Sequence, residues 1–294
     1  MSLTSINQQT QSLAERLARL QPAMDDTLAR LSSGSRLVRP SSDPVGIGLA
    51  ARYEGRQKRL EAAAVNLQNG ASRLQMTDSF LKKLGEAAER MGELATLAQN
   101  PSLNVEDRSV YEIEFKGLQE QFRALIGGTT AEIGGTADID DPQGKFQDRP
   151  LFGAAPVGGE NLVAGAESDV VIRLPETNLR QGAIVHIFRQ DPAGEFAFTI
   201  SDSDAVDRIK AAVDQIAAGR ASVGGAQNRI ELAGSALTTA QTNAEAALSR
   251  IRDTDIATET TSLARRQMLE EATTAMLAQA RDVPRQLLPL LSAR

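Results

Sequence analysis

The chain has no cysteine, no tryptophan, one histidine and only 3% aromatic residues among its 294 positions. Without cysteine there is no disulfide, no zinc-thiolate site and no iron–sulfur cluster. The single His186 has no second histidine or cysteine to form a catalytic or metal constellation, and it reads as a half-buried or edge residue of a strand. An HExxH pattern, a phosphate-binding glycine loop and an Asn-x-Ser/Thr acceptor are all missing from the sequence. Asp138, Asp140 and Asp141 lack the spacing and closing Glu of a calcium loop and read as a solvated acidic turn. No cofactor or metal site is therefore expected, and no catalytic activity.

Long apolar runs are also missing, since no stretch of about 18 apolar residues occurs, so no membrane insertion is expected. The opening Met1-Ser2-Leu3-Thr4-Ser5-Ile6-Asn7-Gln8-Gln9 is polar and does not read as a secretory signal. A formal charge of −6 and a pI near 5.1 give no basic face for phosphates, which argues against nucleic acid as a partner. Composition alone would place the protein in the cytoplasm.

What the sequence does have is helical periodicity. In the second half, apolar or small residues recur in alternating steps of three and four from Ile209, Ala212 and Ile216 through Ile230 and Leu237 to Ile251. The first half does the same from Leu60, Ala63 and Leu67 to Ala95 and Ala98. Each stripe is narrow and has no partner within its own segment, so the two are expected to pair. At about 1.5 Å per residue each helix would be on the order of 60 Å long. The expected fold is mainly α: a long antiparallel coiled-coil helical rod formed by the N- and C-terminal halves, with a small β-hairpin-rich middle.

Five segments follow from the punctuation. Residues 1–42 hold a heptad stretch with Leu13, Leu17, Leu20 and Leu31, interrupted by Pro22, which is expected to kink or weaken it; this segment is expected to pair with 253–294. Residues 43–126 form the N-terminal part of the rod, pairing with 204–252, with Asp43 or Ser42 as cap, Pro44 in the first turn and a break at Asn100-Pro101. Asn104 should cap a shorter helix striped by Tyr111, Phe115, Leu118, Phe122 and Leu125. Residues 127–203 are a variable, β-rich segment. Val170 to Leu174, Ala183 to Phe188 and Phe196 to Ile200 read as strands, with a hairpin turn at Asp191-Pro192-Ala193-Gly194. Residues 204–252 are the long second helix, and 253–294 a last helix striped by Leu269, Ala272, Met276, Ala280, Val283 and Leu287.

Four motifs are recognisable. Leu28-Ala29-Arg30-Leu31-Ser32-Ser33-Gly34-Ser35-Arg36-Leu37 resembles the L-x-x-L-S-S-G-x-R-I segment of bacterial flagellins. Gly225-Ala226-Gln227-Asn228-Arg229-Ile230-Glu231 is similar to their G-A-x-Q-N-R-L-E, and the run from Arg250 to Glu259 to their R-I-x-D-x-D-x-A-x-E. The tail, with Gln267-Met268-Leu269, Leu277-Ala278-Gln279-Ala280 and Pro284-Arg285-Gln286-Leu287-Leu288, is similar to their Q-I-L, L-A-Q-A and P-x-x-x-L. The resemblance implies a structural subunit that polymerises into the flagellar filament, secreted unfolded by the flagellar type III system. Its implied partners are further copies of itself, an export chaperone, the filament cap and hook-associated proteins. Ser42-Asp43-Pro44 departs from the flagellin pattern toward the hook–filament junction protein, which stays as the alternative, with a cytoplasmic coiled-coil scaffold behind it.

On this resemblance the subunit interface is expected to use Leu13, Leu17, Leu20, Leu31, Gly34, Arg36, Asn228, Arg229, Leu269, Met276, Val283 and Leu287. Glu89-Arg90-Met91-Gly92-Glu93-Leu94-Ala95-Thr96-Leu97 also resembles the flagellin stretch recognised by Toll-like receptor 5, keeping Arg90, Glu93 and Leu94 but with Gly92 in place of a basic residue. Arg90 and Glu93 read equally well as an exposed i, i+3 ion pair.

Overall fold

The computed structural model describes residues 3–153, 160–167 and 170–292, with side chains placed between 8 and 282 of these. Four long helices dominate: α1 (Leu3–Ser33), α2 (Pro44–Ala98), α6 (Ala205–Arg252) and α7 (Ile256–Ser292). Between α2 and α6 lie α3 (Val105–Ile126), α4 (Thr130–Ile133), β1 (Lys145–Phe146), β2 (Arg149–Pro150), β3 (Asn161–Val163), β4 (Val171–Arg173) and α5 (Ala183–Phe188). The fold is mainly α, with long antiparallel helices and two small antiparallel strand pairs. Among the described residues no helix is long and apolar enough to cross a membrane. The chain divides into two compact units, one of residues 1–57 and 242–294, the other of residues 58–241.

In the 58–241 unit, α2 and α6 bury the stripes that their heptads predict: Leu60, Leu67, Leu74, Leu81 and Leu84 on one helix, Ile209, Ile216, Val223 and Ile230 on the other. Small residues let the backbones approach. A methyl group at Gly70 would sit 3.3 Å from Ile230, one at Gly85 3.8 Å from Ile216, and one at Gly92 3.6 Å from Ile209. Partner numbers fall along one helix as they rise along the other, which makes the pairing antiparallel.

Helix α3 starts where its sequence says it should. The Asn104 side chain accepts a hydrogen bond from the Asp107 amide at 2.7 Å, satisfying one of the orphan donors of the first turn. Its buried face carries Phe115, which meets Phe198 at 5.6 Å between ring centroids, and Phe122, stacked on Phe188 at 6.2 Å. Two polar side chains on the same face anchor the middle segment through its carbonyls. Gln119 donates to Ile187 O (2.7 Å) and Phe198 O (2.9 Å), and the buried Arg123 to Ile133 O (2.7 Å) and Gly134 O (3.2 Å). Gly134, at φ +67°, has no room for a side chain, because a Cβ would lie 1.8 Å from Gln190 O.

Two expectations are corrected here. Ala183 to Phe188 is helix, not strand. Ile184, Val185, Ile187 and Phe188 are all buried while His186 is exposed, which is an i, i+1, i+3, i+4 face with a period of 3.6 and not 2. Phe196 to Ile200 forms no strand. The Asp191 turn is present, closed by Asp191 Oδ1 accepting from the Ala193 and Glu195 amides, but the ladder beyond it is a single bridge between Gln190 and Phe196. Helix α1 continues through Pro22. That residue is exposed, so water can satisfy the carbonyl one turn back that loses its donor.

Replacing Phe122 by Ala should lower unfolding free energy by about 3–5 kcal/mol. The same change at Val105, 79% exposed on the same helix, should cost under about 0.5 kcal/mol. Chemical denaturation followed by circular dichroism checks both.

Candidate assembly interface

Two helices at opposite ends of the sequence meet in the first unit. The face of α1 that turns toward α7 carries Leu13, Leu17, Leu20, Thr27 and Leu31; the leucines are half-buried and Thr27 is fully buried. Opposite them α7 presents Leu263, Arg266, Glu270, Thr273 and Leu277, in steps of three and four. Arg266 reaches across to donate to both Ala23 O and Thr27 Oγ1. Arg30 pairs with Glu259 at 3.6 Å.

This differs from the expected stripe. Leu269 and Met276 are 46% and 56% exposed and point away from α1. Helix α7 carries two staggered apolar sets, Leu263 with Leu277, and Leu269 with Ala272 and Met276. Periodicity favours the second because it is longer, while α1 packs on the first, more polar one. The side chains of Val283 and Leu287 lie outside the described residues.

The connectors at the two ends of the first unit pair with each other. Gly34 takes φ +66° in open space, its carbonyl accepts from the Thr254 amide at 3.0 Å, Ser35 bridges Asp253, and the Arg36 amide donates to Arg252 O at 2.6 Å. The Arg36 side chain is exposed and pairs with Asp43 at 3.5 Å, while Asp43 Oδ1 caps α2 by accepting from the Gly46 amide at 2.7 Å. Asp255 caps α7 in the same way, accepting from the Ala257 amide at 2.9 Å and the Thr258 hydroxyl at 2.8 Å. Those bonds, the Thr258 hydroxyl first, hold its carboxyl below the usual range. A hydrogen bond from Ser249, reinforced by Arg252, lowers Asp253 likewise.

In the second unit, Asn228 and Arg229 are exposed on α6. Asn228 lines a shallow groove with Leu67, Gln68, Ile230 and Leu237, and Arg229 Nε donates to Gly225 O at 3.3 Å. Arg90 on α2 pairs with Glu93 at 2.9 Å and forks onto both oxygens of Glu114 on α3 at 2.7 and 3.1 Å. That fork holds Glu114 below the ordinary carboxylate range and pushes Arg90 up. Leu94 is fully buried, so it offers nothing to a surface. The sequence pointed to the i, i+3 pair but carried no signal for Glu114, which is brought in by the reversal of the chain after Ala98.

A family model of the bacterial flagellin N-terminal helical region matches residues 4–131, and one of the C-terminal helical region matches 206–291. The chain is 30% identical over 264 residues to the flagellin of Halalkalibacterium halodurans, covering 90% of each. The chain belongs to the bacterial flagellin family. Other similar proteins are the flagellin of Bacillus subtilis, 28% identical over 301 residues with 94% of this chain and 95% of the relative covered, and the flagellar filament 33 kDa core protein of Treponema phagedenis, 28% identical over 280 residues with 92% of each covered. As a member of this family the chain is a structural subunit of the bacterial flagellar filament, located outside the cell and serving motility. None of these matches favours the hook–filament junction protein.

The Asp255 cap makes a pH prediction with a definite sign. A carboxyl lowered from its ordinary 3.8 in the folded chain contributes stability that is present above that value and lost as pH falls through the lowered one. In the filament, the protection of the Ala257 and Thr258 amides, taken as exchange relative to the intrinsic rate at each pH, should therefore fall only at strongly acidic pH. Asp255→Asn should remove that pH dependence of protection while keeping the cap, and Asp255→Ala should lower the protection of both amides at every pH.

Proposed function

We propose that the chain polymerises through its two terminal helices, and that the outward stripe of α7 is the part that a neighbouring subunit covers. The observation that supports this is the exposure of Met268, Leu269 and Met276 on one face of α7 while its other face lies on α1. Surface of that kind is costly to leave in water and marks an interaction site. Open helical growth then follows from heterologous contacts that do not close into a ring. The five segments 1–42, 43–126, 127–203, 204–252 and 253–294 divide this work: the first and last assemble, the helical pair carries, and the middle faces outward.

In this reading the subunit is not an enzyme, and its other partners are the export chaperone, the filament cap and the hook-associated proteins met on the way to the filament tip. Passage through the flagellar type III channel unfolded suits terminal helices whose pairing buries little, because such helices are marginal alone. Toll-like receptor 5 would find Arg90 and Glu93, but not Leu94, and would have to break the fork from Arg90 to Glu114 to engage the guanidinium.

Leu269→Asp together with Met276→Asp should leave helicity unchanged, since both positions are exposed, and should raise the critical concentration for salt-induced assembly at least about tenfold, roughly 1.4 kcal/mol. Sedimentation and negative-stain microscopy read the result. Unimpaired filaments would remove the α7 stripe from the interface.

A further inference from the structure

The seam between α1 and α7 has a problem that its own sequence creates. Apolar matching alone does not fix it: sliding α7 by seven residues, about 10 Å, along α1 in one direction would set Leu277 against Leu20 and Ala280 against Leu17, in place of Glu270 and Thr273. The connector bonds of Gly34 with Thr254 and of Arg36 with Arg252 hold the pair at one end, but something must also hold the register along the helices themselves, because a slipped pair would misplace every group on the outward face. We propose that Arg266 is that selector, a positioning residue that fixes the register of the terminal helix pair by binding the Ala23 carbonyl and the Thr27 hydroxyl. The inference rests on the reading of α1 and α7 as the assembling ends.

The geometry is specific to this register. Arg266 is half-buried, and its guanidinium donates to Ala23 O and Thr27 Oγ1 together. Thr27 is fully buried and also donates to Ala23 O at 2.9 Å, so hydroxyl and carbonyl form one acceptor site on the wall of α1. One heptad toward the N-terminus, the equivalent positions are Arg16 and Leu20, a like charge and a side chain with no acceptor. One heptad toward the C-terminus they are Arg30 and Gly34, again a like charge, with the second position past the end of α1. A slipped Arg266 would thus lie by a like charge and lose its side-chain acceptor in either direction, although in the slip toward the C-terminus the leucines alone would meet apolar partners. A single buried polar group at a seam position is a known means of fixing coiled-coil alignment at some cost in stability. Here the polar contact joins helices 239 residues apart in sequence.

The absence of cysteine makes the test direct. Spin labels go on Arg19→Cys and Glu271→Cys, both exposed, in the full-length chain diluted into unlabelled subunits and polymerised with salt. Pulsed dipolar spectroscopy then reads the distance across the pair. The otherwise unaltered chain and Arg266→Lys should each give one narrow distribution. Arg266→Leu and Thr27→Val should add a second, longer population, because a one-heptad axial slip of about 10 Å moves the two nearly level labels apart, with helicity by circular dichroism retained. A single undisplaced distance in both Arg266→Leu and Thr27→Val overturns the proposal. Should Arg266→Leu fail to enter filaments, Thr27→Val, which loses only a hydroxyl, decides. Filaments in which label pairs on the unaltered chain show no defined distance would instead contradict the assembling-end reading.

Discussion

The interaction on which the second unit depends is the antiparallel seam of α2 and α6, where glycines and alanines of one helix admit the isoleucines and leucines of the other. Gly70 leaves room for Ile230 and Leu162, where a Cβ would crowd both, and Gly219 sits in ordinary van der Waals reach of Leu81. Buried leucines and isoleucines along that seam contribute about 1.5–3 kcal/mol each. Because the seam is antiparallel, the chain between Ala98 and Ala205 must leave and return at the same end. Its pieces then settle on the helices: Glu160 bonds Arg73, Leu162 sits over Gly70, and the Gln215 side chain accepts from the Ile184 amide at 3.0 Å to start α5.

The terminal unit is built by a different rule. Where α2 and α6 bury full apolar stripes, the described part of the α1 and α7 pair fully buries only Thr27 and Thr273 and leaves its leucines half-covered. Its specific contacts are polar: Arg266 to Thr27 and Arg30 to Glu259, with Arg39 of the connector pairing Asp26 beside them. Exposed or half-exposed ion pairs of this kind add little stability, but they do align groups. A pair that is well aligned yet under-buried is suited to a subunit that gains the rest of its burial from neighbours.

Legibility in the sequence followed the strength of periodicity. Forty-residue heptads and capping residues such as Asn104 and Asp43 could be read directly, because each acts locally or repeats many times. Ala183 to Phe188 could not be assigned from β-branched content, since six residues hold less than two turns and the decisive fact is which four of them are buried. The hairpin of β1 and β2 turns at Gln147 and Asp148 with φ of 48° and 60°, a left-handed conformation that neither residue announces as glycine would. The face of α7 that lies on α1 is ambiguous in the sequence for a related reason: with apolar residues on two sides, only the partner decides which side is inside. Long-range polar pairs such as Arg90 with Glu114 left no sequence signal at all.

Amide hydrogen exchange on the unassembled chain and on the filament tests this account most directly. It predicts that α2 from residue 58 and α6 up to residue 241 exchange slowly in both states, while α1 and α7 are slow only in the filament. Equal, slow exchange of α1 and α7 in the free chain would contradict it, because the terminal pair would then need no neighbour to complete its burial.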